Sequence, residues 1–483
     1  MQRHLLRASS LAAFLVAFPV LAAPPSADEL ADALIDAVRN GNRAQLTALL
    51  SRPIDVNAAR ADGSTALHWA AYINDLETAA LLIRAGARTD AATDQGITPL
   101  LLSCAHPDSR LPMALLEAGA DPNRPSKVGE SALMACARSG NTAAVAALLE
   151  KGASTAATES WQGQTALMAA VSASHETVTR LLVAHGADVN ARSSAGFAPL
   201  MFAARTGNVA IGTLLLEAGA TVNDAARDGS TPLLVALVRG HVAFAEWLLE
   251  HGTDANAAGT GFTPLHWVAG SWHSELTGPN GIQADREDEW AMLGGLPRPD
   301  KIRMAKALLA KGADPNARLT RNPPQFGYSS ARFKISMVGA TPFMLAAADG
   351  HPALMKVLLA HGADPNVTTR QQTTALMVAA GLGRVPAESR VTDADTMAAV
   401  QLLLELGADV KAVNSDGSTA LHGAAHIRLD PLVQLLAGRG ADVNARNARG
   451  LTPLEVAEGS GHSDNPGLVG GPTATLLRKL GAR

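Results

Sequence analysis

A five-residue signature recurs along this chain at a nearly fixed spacing, and that spacing closes off most folds. It reads STALH at Ser64–His68, ESALM at Glu130, STPLL at Ser230, FTPLH at Phe262 and again STALH at Ser418. Its threonine-like position falls at residues 65, 98, 131, 165, 198, 231, 263, 341, 374, 419 and 452, so most steps are 32 to 34 residues, with two exceptions of 78 and 45. A unit of that size cannot bury an apolar face alone. Stacked units can, so a 483-residue chain built this way predicts an elongated array rather than a few independent cores.

A second signature follows each first one, an apolar run ending in Leu-Leu-x-x-Gly-Ala, as in LLIRAGA ending at Ala87 and LLVAHGADVN ending at Asn190. The residue types explain themselves mechanically. Threonine caps a helix N-terminus and proline takes the first helical position, where its missing N–H costs nothing. Small residues after it, such as Ala203 and Ala204, let neighbouring helices approach, and paired leucines such as Leu181 and Leu182 fill the layer between units. Glycines such as Gly186 and Gly219 end the second helix, and Gly63, Gly96 and Gly229 serve the turn before each new signature. Gln372 stands where that turn glycine belongs, which leaves its loop geometry open.

Together the two signatures resemble the ankyrin repeat family. The resemblance implies an all-α repeat solenoid of stacked helix-turn-helix ankyrin units joined by β-hairpin loops. Eleven units carry the first signature and a divergent opening unit, from Leu30, brings the expected number to about twelve, spanning 28–483. Asp32, Asp36, Arg39 and Arg43 give the opening unit a polar outer side, and Gly481 to Arg483 stand where another hairpin would start, so a capped array is expected.

Residues 1–23 read as a signal peptide: Arg3 and Arg7, an apolar run from Leu11 to Leu21, then Ala22 and Ala23 before two prolines. The expectation is an exported protein, in a bacterial periplasm or released outside the cell. Without that segment 38 basic and 44 acidic residues remain, a balance that argues against a nucleic-acid or anionic-membrane surface. No later segment reads as membrane-spanning, and a monomer is expected. Cys104 and Cys136, one position out of register in adjacent units, read as two buried apolar residues rather than a disulfide.

The family binds proteins through hairpin tips and first helices, and this carries onto Lys127, Trp161, Gln162 and Arg227 at tips. It also carries onto Tyr72, Arg205, Arg239, Arg138 and Asp349 after first-helix signatures. Trp161 either anchors a partner or folds onto the adjacent loop. Trp69 and Trp267 occupy the place of Phe202 and Leu345 in other units and read as core. His68, His266 and His422 belong to the first signature, and His185, His251 and His361 to the last turn of the second helix, where a cation suits the dipole. HExxH, paired CxxC, P-loop and GxSxG motifs do not occur, and no catalytic residue, metal or cofactor is expected.

The long steps mark insertions at about 274–299, 321–338, 384–395 and 460–472. The first two are rich in aromatics, with Trp272, Trp290, Phe326 and Tyr328, and carry His273 beside Asp285, Glu287, Asp288 and Glu289. Such loops either pack privately onto the array or form a recognition surface. The leading expectation is a protein-binding module of the cell envelope that uses the concave face of the array, with the inserts near Trp272 to Trp290 and Pro323 to Phe333, including His273, Phe326 and Tyr328, shaping the site. The alternative is an enzyme or small-ligand receptor with a pocket between inserts and repeats.

Overall fold

The computed structural model describes residues 27–270, 296–322, 335–384, 391–459 and 471–483, with side chains from Glu29 onward. The signal-like segment, most of the insertions expected at 274–299, 321–338 and 460–472 and half of that at 384–395 therefore lie outside the described residues. Of the described chain, 27–103 with 110–126 form one compact unit, and 104–109 with the rest form a second, larger one.

Among the described residues, 24 helices make twelve pairs and there is no β-strand, so the fold class is an all-α repeat solenoid. The pair Pro232–Val238 and Val242–Glu250 shows why each forms where it does. Thr231 Oγ1 accepts from the N–H of Leu234 at 3.3 Å, and Pro232 opens the helix, so its start is fixed. Leu233, Leu234, Ala236 and Leu237 are buried against Phe244, Ala245, Leu248 and Leu249 of the second helix and its neighbours. Gly252, at φ +81°, then stops the second helix.

Successive pairs of the larger unit are stapled by asparagines of the Asp-x-Asn segment. Asn190 Nδ2 donates to Gly219 O at 3.0 Å while its Oδ1 accepts from Thr221 N–H at 3.0 Å, and Asn256 does the same with Gly312 O (2.8 Å) and Asp314 N–H (2.7 Å). One amide thus satisfies a helix-end carbonyl and a loop N–H of the next repeat. Asn57 makes the equivalent staple in the smaller unit.

The expected β-hairpin loops are tight turns without ladders: Ala226 N–H donates to Ser230 O at 2.9 Å and Gly229 N–H to Ala226 O at 3.0 Å. Neighbouring turns touch backbone to backbone, so closely that a Cβ on Gly229, itself at φ +86°, would stand 2.2 Å from the Gly259 carbonyl carbon. Gln372 keeps this geometry at φ +58°, in the left-handed region that glycine occupies elsewhere.

The polar outer side expected of the opening pair is present and has a further role, and the expectation for the cysteines is corrected. The polar residues of the opening helix pair are not idle: Arg60 binds Asp32 at 3.2 Å and Asp36 at 2.7 Å, Arg43 binds Asp75 at 3.0 Å, and Arg39 lies 5.8 Å from the Trp69 ring. Charges placed to keep the end soluble also tie it to the following pair. Cys104 and Cys136, both in the larger unit, form a disulfide with a Cα–Cα distance of 4.5 Å. The small residues of the stack bring backbones within disulfide reach, which the one-position offset had argued against.

Candidate partner-binding surface

Four hairpin tips of the larger unit, from 127 to 229, form a continuous line, because each of the last three donates one backbone bond to the one before it. Ser160 N–H reaches Val128 O at 2.8 Å, Ser194 N–H reaches Gln162 O at 2.7 Å, and Arg227 N–H reaches Ala195 O at 3.1 Å. Trp161 sits at the second of these tips and is 82% exposed, so it projects rather than folding onto the neighbouring loop. Val128, on the adjoining tip, is 54% exposed.

The backbone beneath Trp161 is held by one carboxylate. Glu159 accepts from the N–H groups of Trp161 at 2.6 Å, Gln162 at 2.9 Å and Gln164 at 2.8 Å. Burial works against its charge, but these three backbone bonds prevail and hold the carboxyl below the usual range. The tip is therefore rigid and presents an indole outward, with its nearest acid turned inward.

The other expected residues divide. Lys127, Gln162 and Arg227 are exposed on the tip line, and neither cation is engaged by a described carboxylate. Tyr72, in the smaller unit, is exposed at the end of the helix Ala66–Tyr72 and packs edge-on to Trp69 at 5.8 Å. Arg205 is committed elsewhere: it lies 5.3 Å over the Phe202 ring and donates to Ser172 Oγ at 2.7 Å. Arg239 is a half-buried helix cap, and Arg138 is paired with Glu130. Trp272, His273, Trp290, Phe326 and Tyr328 lie outside the described residues.

Histidines serve the stack. In His266 the ring Nδ1 accepts from Thr263 N–H at 3.1 Å and Nε2 donates to Ala340 O at 3.2 Å, joining one repeat to the next. Burial pushes its pKa down to about 4, and His68 and His422 repeat the arrangement with the same direction of shift. His185, His251 and His361 donate from Nδ1 to carbonyls four residues back, capping helix ends. Trp267 is core, 1% exposed and stacked on Phe262, whereas Trp69 is half-buried.

Sequence reasoning missed a charged network at the roots of the insertions. Asp349, expected on the binding face, is buried and bound to the equally buried Lys301 at 2.9 Å, whose Nζ also donates to Gly270 O at 2.7 Å. Arg298 makes two bonds of 2.9 Å to Asp395, holding that carboxyl below its ordinary range despite burial, and reaches Gly350 O at 3.3 Å. Arg384, also buried, donates to Thr396 Oγ1 at 2.9 Å and to the carbonyls of Ala348 and Ala379. The helices concerned are long, Arg298–Ala310 and Asp393–Glu405 having 13 residues where Val242–Glu250 has 9, a length the repeat signatures do not announce. Among the described residues no group of three or more side chains could hold a metal ion.

Models of ankyrin repeats (3 copies) match residues 34–124, 108–193, 133–226, 200–277 and 298–387, and a model of ankyrin repeats (many copies) matches 403–457. The chain belongs to the ankyrin repeat family. Among curated relatives, this ankyrin protein is 37% identical over 70 residues to neurogenic locus notch homolog protein 1 of Xenopus tropicalis. It is 39% identical over 70 residues to the human protein of that name. Each match covers 14% of this chain and spans 3% of the relative's length, so this chain covers only a small part of those relatives. Ankyrin repeats are generally protein–protein interaction modules, and they are typically not enzymes. No helix among the described residues is long and apolar enough to cross a membrane.

Proposed function

We propose that this ankyrin array is an exported, monomeric protein-binding module of the cell envelope, which captures a protein partner on its hairpin tips and first helices beside the insertions. The observation that carries the reading is Trp161, a large indole held on a rigid tip and left 82% exposed, the residue type that dominates binding energy at protein interfaces. Export rests on the signal-like segment 1–23, and the Cys104–Cys136 disulfide supports it, because such bonds persist in oxidising compartments. A periplasmic location fits both features.

The test is affinity capture from a cell-envelope extract, with partners identified by mass spectrometry. Parallel baits are the array without its leader, the same array lacking 274–295, and Trp161→Ala. One protein retained by the intact bait and depleted on Trp161→Ala is expected. Equal recovery on all three baits would remove both the tip and the first insertion from the function.

A further inference from the structure

We propose that the tip line from Lys127 to Arg227 docks an extended acidic segment of the partner, about ten residues long, whose apolar side chain seats on Trp161. This rests on the protein-binding reading above and specifies the chemistry of its partner.

Charge is distributed unevenly over residues 127–260. That stretch holds 8 basic and 11 acidic side chains. The tips and first-helix ends take five of the bases, Lys127, Arg138, Arg205, Arg227 and Arg239, and only three of the acids, Glu130, Glu159 and Asp228. All three acids are occupied: Glu130 by Arg138, Glu159 by the backbone of its own tip, and Asp228 by the N–H and hydroxyl of Ser230 at 2.8 and 2.9 Å. Lys127 and Arg227 remain exposed at the two ends of the line, with Val128 and Trp161 between them. The exposed chemistry is thus cation, apolar pair, cation, in a chain whose net charge is −4. Local potential, not the global charge, selects what docks on such a strip.

Geometry sets the length. Packed helices stand roughly 8–10 Å apart, so three repeat steps between Lys127 and Arg227 span about 30 Å. An extended chain covers that distance in about nine residues. Trp161 lies one step from Lys127 and two from Arg227, which places the apolar residue about a third of the way along. A flat line of tips whose backbones bond one another suits an extended segment more than a helix, which would need a groove.

The probe is a ten-residue synthetic peptide coupled to resin, with two glutamates at each end, leucine at the fourth and seventh positions and serine elsewhere, so that either chain direction is served. The full chain, applied at low salt, should be retarded on this resin and not on one with lysines in place of the glutamates. Retention should fall at least threefold for Trp161→Ala and be lost for Lys127→Glu with Arg227→Glu, all with unchanged melting temperature. Equal retention on the lysine resin, or no change for Trp161→Ala, would overturn the proposal. If the charge-reversed variant still captures the envelope partner, the acidic-segment proposal fails while the protein-binding reading stands; if intact array captures none, that reading fails as well.

Discussion

The repeats over 127–260 and those over 262–405 are made from the same signature and solve different problems. In the first stretch every link between repeats is local: an asparagine staple, a tip-to-tip backbone bond, a layer of Ala and Leu. Each repeat contacts its neighbours and nothing further, as the one-dimensional physics of stacked repeats requires. In the second stretch Arg298 and Asp395 join two repeats across a third, passing over Gly350 at the start of the short helix Pro352–Ala360. Both belong to helices longer than the nine-residue norm, and Lys301 and Arg384 fill the space beneath with buried charge. The regular stretch leaves Lys127, Val128, Trp161 and Arg227 exposed on its tips. The braced stretch spends them internally, at the points where insertions leave the array, so it reads as a support.

The difference can be broken at its strongest point. Lys301→Met removes the ammonium bound to the buried Asp349 and should cost about 3–5 kcal/mol, seen as early loss of amide protection over 296–405 in urea, whereas adding Asp349→Leu should recover most of it. Equal loss in the single and double variants would mean that packing, not charge, holds the brace. At the near end of the regular stretch the corresponding strong link is covalent, joining Cys136 to Cys104 of the preceding repeat: replacing both by alanine should lower stability by about 3 kcal/mol, and reductant should have no further effect.

A pH effect of comparable size is expected where the two stretches meet. His266 has a folded pKa of about 4 against about 6.5 unfolded, so the unfolded chain takes up the proton first. Stability contributed by its neutral ring is present above pH 6.5 and is lost as the pH falls toward 4, by at most about 3 kcal/mol. His266→Gln, which can keep both hydrogen bonds, should flatten the thermal midpoint over that window. The smallest effect belongs to Gln372: glycine there relieves a left-handed side-chain conformation and should add roughly 0.5–1 kcal/mol, measurable as a rise in melting temperature.

What could be read from the sequence follows from how local each interaction is. Thr231, Pro232 and Gly252 declare a helix start and stop within their own unit, so helix pairs and their number were legible. The exposed tip residues Lys127, Trp161 and Arg227 were legible by position, since a turn glycine fixes where its tip must lie. Arg205 looked alike in sequence and is not free, because Phe202 and Ser172, one turn and one repeat away, claim its guanidinium. Lys301 with Asp349 and Arg298 with Asp395 are 48 and 97 residues apart, and each reads as an ordinary solvated charge until the stack folds. The disulfide was not legible, because its 32-residue spacing is one short of the 33-residue step from Thr98 to Ser131 and the closeness of the two backbones exists only in the folded stack.

Hydrogen–deuterium exchange of the array with and without its captured partner tests the division most directly. Slowed exchange is expected at the tips 127–129, 159–164 and 226–229, with 296–310 and 391–405 unchanged. Protection confined to those two braced helices, with the tips exchanging freely in the complex, would contradict it.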